Sequence, residues 1–304
     1  MTSSVRESSK NVCCYRPISG NKVRLIWNIT GFCNLNCRHC FIKKYSASQR
    51  KEKELSFSRC LELIKEFPLV RVGKVMLTGG EPFSRSDLLD IIAAIKKIDK
   101  DIIIDVTTNL TYLNDDIIAK LKQIGIDEIT TSLDGNEKAH DFIRRSKGNF
   151  KIVTNNIKKL RQANILVDAV CVIQRSNFEL IEDIINIAEN LDITSLTFSD
   201  LIVPEGIDYS SEVLTSSEKE TVIKSLDNIR KSRLNSSDKM PIRMVGFDSI
   251  PKISHPCLMN NILTITNENK LCRCLLSDSS DGESIANVSL QDALKQIKPV
   301  NCFK

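Results

Sequence analysis

From Lys22 onward two apolar patterns alternate along the chain. Short β-branched runs bounded by Gly, Asn or Asp read as strands, and longer stretches with apolar residues every three or four positions read as amphipathic helices. The predicted strands are Val23 to Ile29, Lys74 to Thr78, Ile102 to Thr107, Glu128 to Leu133, Leu166 to Ile173 and Ser195 to Phe198. Between them helices are predicted near Ser56 to Phe67, Ser86 to Lys97, Asp115 to Ile124, Phe150 to Gln162, Phe178 to Leu191 and Ser216 to Arg233. Ser56, Ser86, Asp115 and Ser216 stand where a helix N-cap is wanted. This alternation predicts an α/β chain of repeated βα units on a parallel sheet.

The pattern also divides the chain. Residues 1 to 22 are polar and aperiodic and read as an arm; 23 to 235 carry the βα units; the polar stretch Lys231 to Lys239 reads as a boundary. From Met240 to Lys304 no βα alternation is visible, and Cys257, Cys272, Cys274 and Cys302 fall there. So short a segment with little apolar mass is expected to need a staple such as a metal.

Two strands are two-faced. Asp105, Thr107 and Asn109 alternate with Ile104, Val106 and Thr108, while Thr130, Ser132 and Asp134 alternate with Ile129, Thr131 and Leu133. In a parallel barrel jacketed by helices, a polar inner face near the C-terminal strand ends is where a ligand sits.

Composition narrows the chemistry. The 304 residues carry 43 Lys and Arg against 38 Asp and Glu, a net charge of +5 spread along the chain, with 5% aromatics. Neither a basic tail nor stacking platforms point to nucleic acid. No secretory signal precedes the first cysteines, and no apolar run approaches the roughly 18 residues that span a bilayer, so a cytoplasmic protein without a membrane segment is expected. Eleven Cys stand beside three His. In a reducing compartment that balance favours thiolate metal chemistry over disulfides.

Cys33, Cys37 and Cys40 follow the first strand in the run FCNLNCRHCF. Three thiolates on one loop converge on one inorganic centre: a [4Fe-4S] cube with one iron left open, or a zinc site completed by His39. Thr78-Gly79-Gly80-Glu81-Pro82 ends the next strand, about 40 residues on. Together these motifs resemble the radical SAM superfamily. The resemblance implies a partial (βα)6 TIM-like barrel in which Cys33, Cys37 and Cys40 hold a [4Fe-4S] cluster chelated by S-adenosylmethionine. Gly79, Gly80 and Glu81 would bind the methionyl amine, the glycines by close backbone approach and the carboxylate by charge. Asn109 matches a residue at the cofactor ribose, or else merely ends a strand.

The run Thr131-Ser132-Leu133-Asp134-Gly135, followed by His140-Asp141-Phe142-Ile143-Arg144 and Lys147-Gly148-Asn149-Phe150, is similar to radical SAM peptide maturases and anaerobic sulfatase-maturing enzymes. The similarity implies that Ser132 faces S-adenosylmethionine and that Arg144 pairs with its carboxylate. Asn177, Pro204 and Gly206 fit the same loop pattern and serve equally well as turn residues. Cys257 and the segments Asn269 to Cys274 and Ile285 to Val288 resemble a twitch or SPASM-like domain, here residues 240 to 304. One auxiliary [4Fe-4S] cluster is implied, on Cys257, Cys274 and Cys302, with Cys272 competing for the place of Cys274; unliganded thiols or zinc are the alternatives. Cys60 and Cys171 read as buried core thiols, and Cys13 and Cys14 lie in the arm.

The implied reaction is reductive cleavage of S-adenosylmethionine to a 5′-deoxyadenosyl radical that abstracts a substrate hydrogen. The expected substrate is a ribosomally made peptide or protein, to be crosslinked, epimerised or oxidised. A one-electron donor such as flavodoxin or ferredoxin is implied. The segment before the first cysteine loop is too short for a winged-helix leader binder, so a separate leader-peptide recognition protein is expected, or none. The rival readings are a radical SAM oxidoreductase or lyase acting on a small molecule such as a sugar or aminocyclitol, and a non-catalytic iron-sulfur or zinc scaffold. The ending Asn301-Cys302-Phe303-Lys304 lacks the Gly-Gly tail of molybdopterin-type cyclases.

Overall fold

The computed structural model describes residues 22–40, 54–203, 208–233, 239–246, 262–273 and 282–297. Within them the chain alternates β1 (Val23–Thr30), α1 (Phe57–Lys65), β2 (Val72–Gly79), α2 (Leu88–Ile98), β3 (Ile103–Thr107), α3 (Asp115–Ile124) and β4 (Glu128–Ser132). It continues through α4 (Glu137–Arg144), α5 (Asn149–Gln162), β5 (Leu166–Ile173), α6 (Ile181–Asn190), β6 (Ser195–Asp200) and α7 (Ser216–Arg233). A shorter-stepped tail follows: β7 (Ile242–Val245), β8 (Ile262–Ile265), β9 (Lys270–Cys272), β10 (Glu283–Ser284) and α8 (Leu290–Gln296).

The six predicted strands are all present, and β1 to β7 run parallel, each beside its successor. Side-chain alternation explains the layering. Leu25, Trp27, Val75, Leu77, Ile104, Val106, Ile129, Val167, Ala169, Leu196 and Phe198 point outward into one apolar core shared with the helices. Their neighbours in sequence point inward and wall a single cavity. Trp27 meets Phe67 edge to face at 6.2 Å on the outer side of β1.

Helix starts follow local chemistry, with one displacement. Ser56 caps α1 by accepting from Arg59 N–H, but α3 is capped by Asn114, one residue before the predicted Asp115. The helix predicted from Ser86 begins at Leu88, after Asp87, which makes no side-chain cap bond. The eight-residue α4 was not predicted as a helix, because it is short and polar on most of its surface. Asn136 caps it, and Arg145 closes it in a left-handed conformation at φ 52°.

The tail differs from expectation in how it is held. β8 pairs in parallel with β1, β9 and β10 follow antiparallel, and β7 extends the far edge beyond β6. Leu263, Ile265, Leu271, Ile285, Leu290, Ala293 and Ile297 enter the same core as the barrel residues. The described part of the tail therefore borrows apolar burial from the barrel. Strands of two to four residues leave no period to detect in the sequence.

Candidate active site

The cysteine loop grows out of β1 and is clamped on three sides. On the β2 side, Gly80 N–H donates to Thr30 O at 2.9 Å and Glu81 N–H to Phe32 O at 2.7 Å. A Cβ on Gly79 would fall 2.1 Å from Thr30 O, and one on Gly80 would fall 1.9 Å from Phe32 O. The close approach that these glycines allow is thus filled by the cysteine loop itself, although both still line the cavity. On the α4 side, Arg38 N–H donates to Ile143 O at 2.8 Å, and the Arg38 guanidinium lies 3.8 Å over the Phe142 ring. The third clamp is Tyr209, whose hydroxyl donates to Cys40 O at 2.9 Å.

Cys33, Cys37 and Cys40 all line one cavity of about 370 Å³, together with Gly79, Gly80, Asn109, Ser132 and Arg144. None of the three is in a disulfide. Burial pushes the Cys33 thiol up to about 11, against the opposing Leu35 N–H, so metal loading must displace its proton. Among the described residues no three His, Cys, Asp or Glu side chains gather on a single-ion point. A cube spreads its thiolates over separate irons, so three thiols around one cavity fit a cluster better than a zinc ion completed by His39.

Glu81 has other partners than the ammonium expected of it. Its carboxylate is fully buried and accepts from Thr108 Oγ1 at 2.7 Å, Asn109 N–H at 2.7 Å and Phe83 N–H at 3.0 Å. Burial moves its pKa up, and these three donors pull the other way. The Asn109 amide donates to Asn34 Oδ1 at 2.9 Å and reaches Cys33 Sγ at 3.9 Å. Arg144 donates to Asp134 and to Cys37 Sγ, the latter at 3.6 Å. Asn177 is a buried clasp: its amide donates to Asp134 O at 3.0 Å and Val172 O at 2.9 Å.

The opposite end of the cavity is ionic. Lys74 contacts Glu128 closely and lies 3.8 Å from Asp105, while Arg243 lies 3.6 Å from Asp168. Thr130 Oγ1 donates to Asp105 Oδ2 at 3.1 Å, and Asp105 Oδ1 has no hydrogen-bond partner. Burial pushes the Asp105 carboxyl up to about 7, with Lys74 opposing. The polar faces expected on β3 and β4 do face the cavity; Asp134, placed on the same face, lies beneath Arg144.

Residues 27–188, from β1 into α6, match the family model of the Radical SAM superfamily. The chain belongs to the radical SAM superfamily. Membership implies a [4Fe-4S] cluster and S-adenosylmethionine. The chain is 29% identical over 205 residues to an AdoMet-dependent heme synthase of Methanosarcina barkeri, covering 67% of this chain and 57% of that one. It is 31% identical over 221 residues to a GTP 3',8-cyclase of Clostridium perfringens, covering 72% and 65%. The chain thus spans little more than half the length of the heme synthase. Among solved structures, Streptococcus suis SuiB bound to S-adenosylmethionine superposes with a TM-score of 0.72 at 14% identity, over 90% of this chain and 65% of that one. The anSMEcpe structure with bound AdoMet gives 0.72 at 16% identity, over 90% and 80%. These two share the fold.

The anchors of this radical SAM loop that the sequence did not disclose are Arg38 and Tyr209, since each bonds a backbone oxygen far away in the chain. Cys257, Cys274, Cys302, Pro204 and Gly206 lie outside the described residues. Cys272 is buried on β9, with its sulfur 2.5 Å from where a Cβ on Gly282 would stand. Cys60 and Cys171 are wholly buried. Among the described residues no helix is long and apolar enough to cross a membrane.

Proposed function

We propose that this chain is a radical SAM enzyme that modifies a ribosomally made peptide or protein. The observation that carries the reading is the gathering of Cys33, Cys37 and Cys40 on one cavity at the C-terminal ends of β1 to β4. In this reading those thiolates hold the cluster. Held by Cys33, Cys37 and Cys40, such a cluster would supply the single electron needed for reductive cleavage of S-adenosylmethionine and so for hydrogen abstraction from the substrate.

The chain's own part is binding and enclosure. The clamped glycines Gly79 and Gly80 present backbone groups at the cavity wall beside the cysteines, and Asn109 and Ser132 offer polar groups for the nucleoside. Glu81 braces the strand ends. The helix-covered outer face keeps water from the strands, and the cavity holds the substrate against the reacting carbon. Cys257, Cys274 and Cys302 are assigned to an auxiliary cluster in a twitch-like segment, 240 to 304. A low-potential donor of the flavodoxin or ferredoxin type supplies the electron.

Peptide modification is supported by the Ser132-to-Phe150 resemblance to peptide maturases. A small-molecule substrate is the second reading, favoured by relatives named for heme synthesis and GTP cyclisation and by the ionic cavity floor.

Anaerobic reconstitution tests the chemistry. Iron and sulfide of about eight per chain are expected for two cubes, falling to about four in the Cys257→Ala, Cys274→Ala, Cys302→Ala variant. 5′-Deoxyadenosine should form with the wild type and vanish in Cys33→Ala, Cys37→Ala or Cys40→Ala. Its absence from a fully loaded wild type would refute the enzyme reading. Deuterium transfer into 5′-deoxyadenosine from a labelled peptide encoded beside this chain, rather than from labelled small metabolites, decides between the substrates.

A further inference from the structure

Arg144 ends α4 with its guanidinium engaged on two sides. Nε and Nη2 both reach Asp134 Oδ2 at 2.6 Å, and Nη1 donates to Cys37 Sγ at 3.6 Å. The fork that would clasp a free carboxylate bidentately is therefore already occupied by Asp134, and the remaining edge points at sulfur. Asp134 is fully buried, and its Oδ1 has no hydrogen-bond partner. Burial alone would push its carboxyl up, yet Arg144 holds it below the usual range.

His140 does not compete for that charge. Its Nδ1 accepts from Asp134 N–H at 3.2 Å, its Nε2 is bonded to Asn149 Oδ1 at 2.8 Å, and burial lowers its pKa. The groups that meet at Cys37 Sγ are the Arg144 guanidinium and, behind it, the Asp134 carboxylate, on which His39 of the cysteine loop also acts. Buried as they are, with Asp134 wholly covered, they are less screened than surface charges.

We propose that Arg144 and Asp134 form a built-in charge pair that sets the reduction potential of the centre held by Cys37. The proposal rests on the reading of Cys33, Cys37 and Cys40 as cluster ligands. One-electron reduction adds a negative charge to the cluster and its thiolates. A positive N–H donor on one of those sulfurs stabilises the reduced form and raises the potential. Asp134, anchoring the same guanidinium from behind, offsets part of that rise and keeps Nη1 aimed at the sulfur. Arg144 is on this account a positioning residue that acts through Cys37 rather than a ligand of the methionyl carboxylate.

The pair makes a signed prediction that a purely structural role does not. The full-length chain is reconstituted anaerobically and reduced by dithionite through low-potential dye mediators, without S-adenosylmethionine. The midpoint is read from the EPR signal that Cys37→Ser abolishes. Arg144→Gln is expected to move it to lower potential, Asp134→Asn to higher potential, and Arg144→Lys to lie between Arg144→Gln and wild type. Iron and sulfide equal to wild type show that a variant is loaded. Should Asp134→Asn fail to load, Arg144→Gln and Arg144→Lys carry the test, because Arg144 lines the open cavity. An unchanged midpoint in loaded Arg144→Gln, or shifts of one sign in both Arg144→Gln and Asp134→Asn, overturns the proposal. So does an unchanged midpoint accompanied by weakened S-adenosylmethionine binding, which would return Arg144 to the methionyl carboxylate. A wild type that binds no iron, or a Cys37→Ser variant that binds as much as wild type, fails at the ligand reading instead.

Discussion

Glu81 and Asn109 are joined by one hydrogen bond: the backbone N–H of Asn109 donates to Glu81 Oε2 at 2.7 Å. With the Thr108 hydroxyl on Oε1, it ties the segment after β2 to the segment after β3, and the same stretch of chain grips Phe32 in the cysteine loop. Glu81→Ala strands three donors, one buried and two partly buried, and should cost about 3 kcal/mol of stability in the apo chain. Glu81→Gln keeps one acceptor and should cost about 1 to 2 kcal/mol. Urea unfolding without S-adenosylmethionine measures both; an apo chain indifferent to Glu81→Ala would return the carboxylate to a ligand-facing role.

Two glycines separate steric need from conformational preference. Gly80→Ala would drive Cβ into Phe32 O, so iron content after reconstitution should collapse even where the chain folds. Gly125→Ala has nothing within 4 Å of its new Cβ and only the strain of φ +84°. It should cost about 1 kcal/mol and leave iron content alone.

Asp105 makes stability depend on pH. Its folded pKa, about 7, stands above an ordinary value of 3.8, so the folded chain binds the proton more tightly than the unfolded one. The group's contribution is complete below about pH 4 and is lost as pH rises toward 7. Asp105→Asn removes that slope and should gain on wild type between pH 5 and pH 7.5, by an amount on the order of a few kcal/mol. Parallel denaturation curves for the two chains across that range would contradict the assignment.

Tyr209→Phe deletes the hydroxyl that holds Cys40 O and nothing else. A stability loss of about 1 kcal/mol should come with faster iron loss to a chelator from the reconstituted chain. Equal chelation rates would show that the cysteine loop does not need this anchor.

Much of this was legible because alternation is a local property. Asp105, Thr107 and Ser132 could be placed on the cavity side from their neighbours alone, and Cys33, Cys37 and Cys40 from their spacing. Partners chosen by the fold left no such mark. Glu81 and the two glycines were read from their motif as ligand-binding; that Glu81 also accepts from three donors, and that the glycines also admit the cysteine loop, is set by the fold and left no local mark. Tyr209 gave no signal, since its acceptor is a backbone oxygen 169 residues away. The tail strands carry no period of their own: β8 is held by β1, β9 and β10 by antiparallel pairing in turn, and β7 by β6, while the β8–β9 turn at Asn269, with φ 59°, falls on the segment that the twitch resemblance singled out.

The pairing of β8 with β1 bears on how the chain matures. One edge of β1 is taken by β2 soon after synthesis, but the other waits for Ile262–Ile265, more than two hundred residues later. Throughout elongation β1, with buried Leu25 and Trp27, offers an unpaired edge next to the cysteine loop. Such distant closure is slow, and an open edge invites pairing with other chains. A nascent chain halted before residue 262 should therefore be the aggregation-prone species, and a ribosome that lingers there lengthens the exposure.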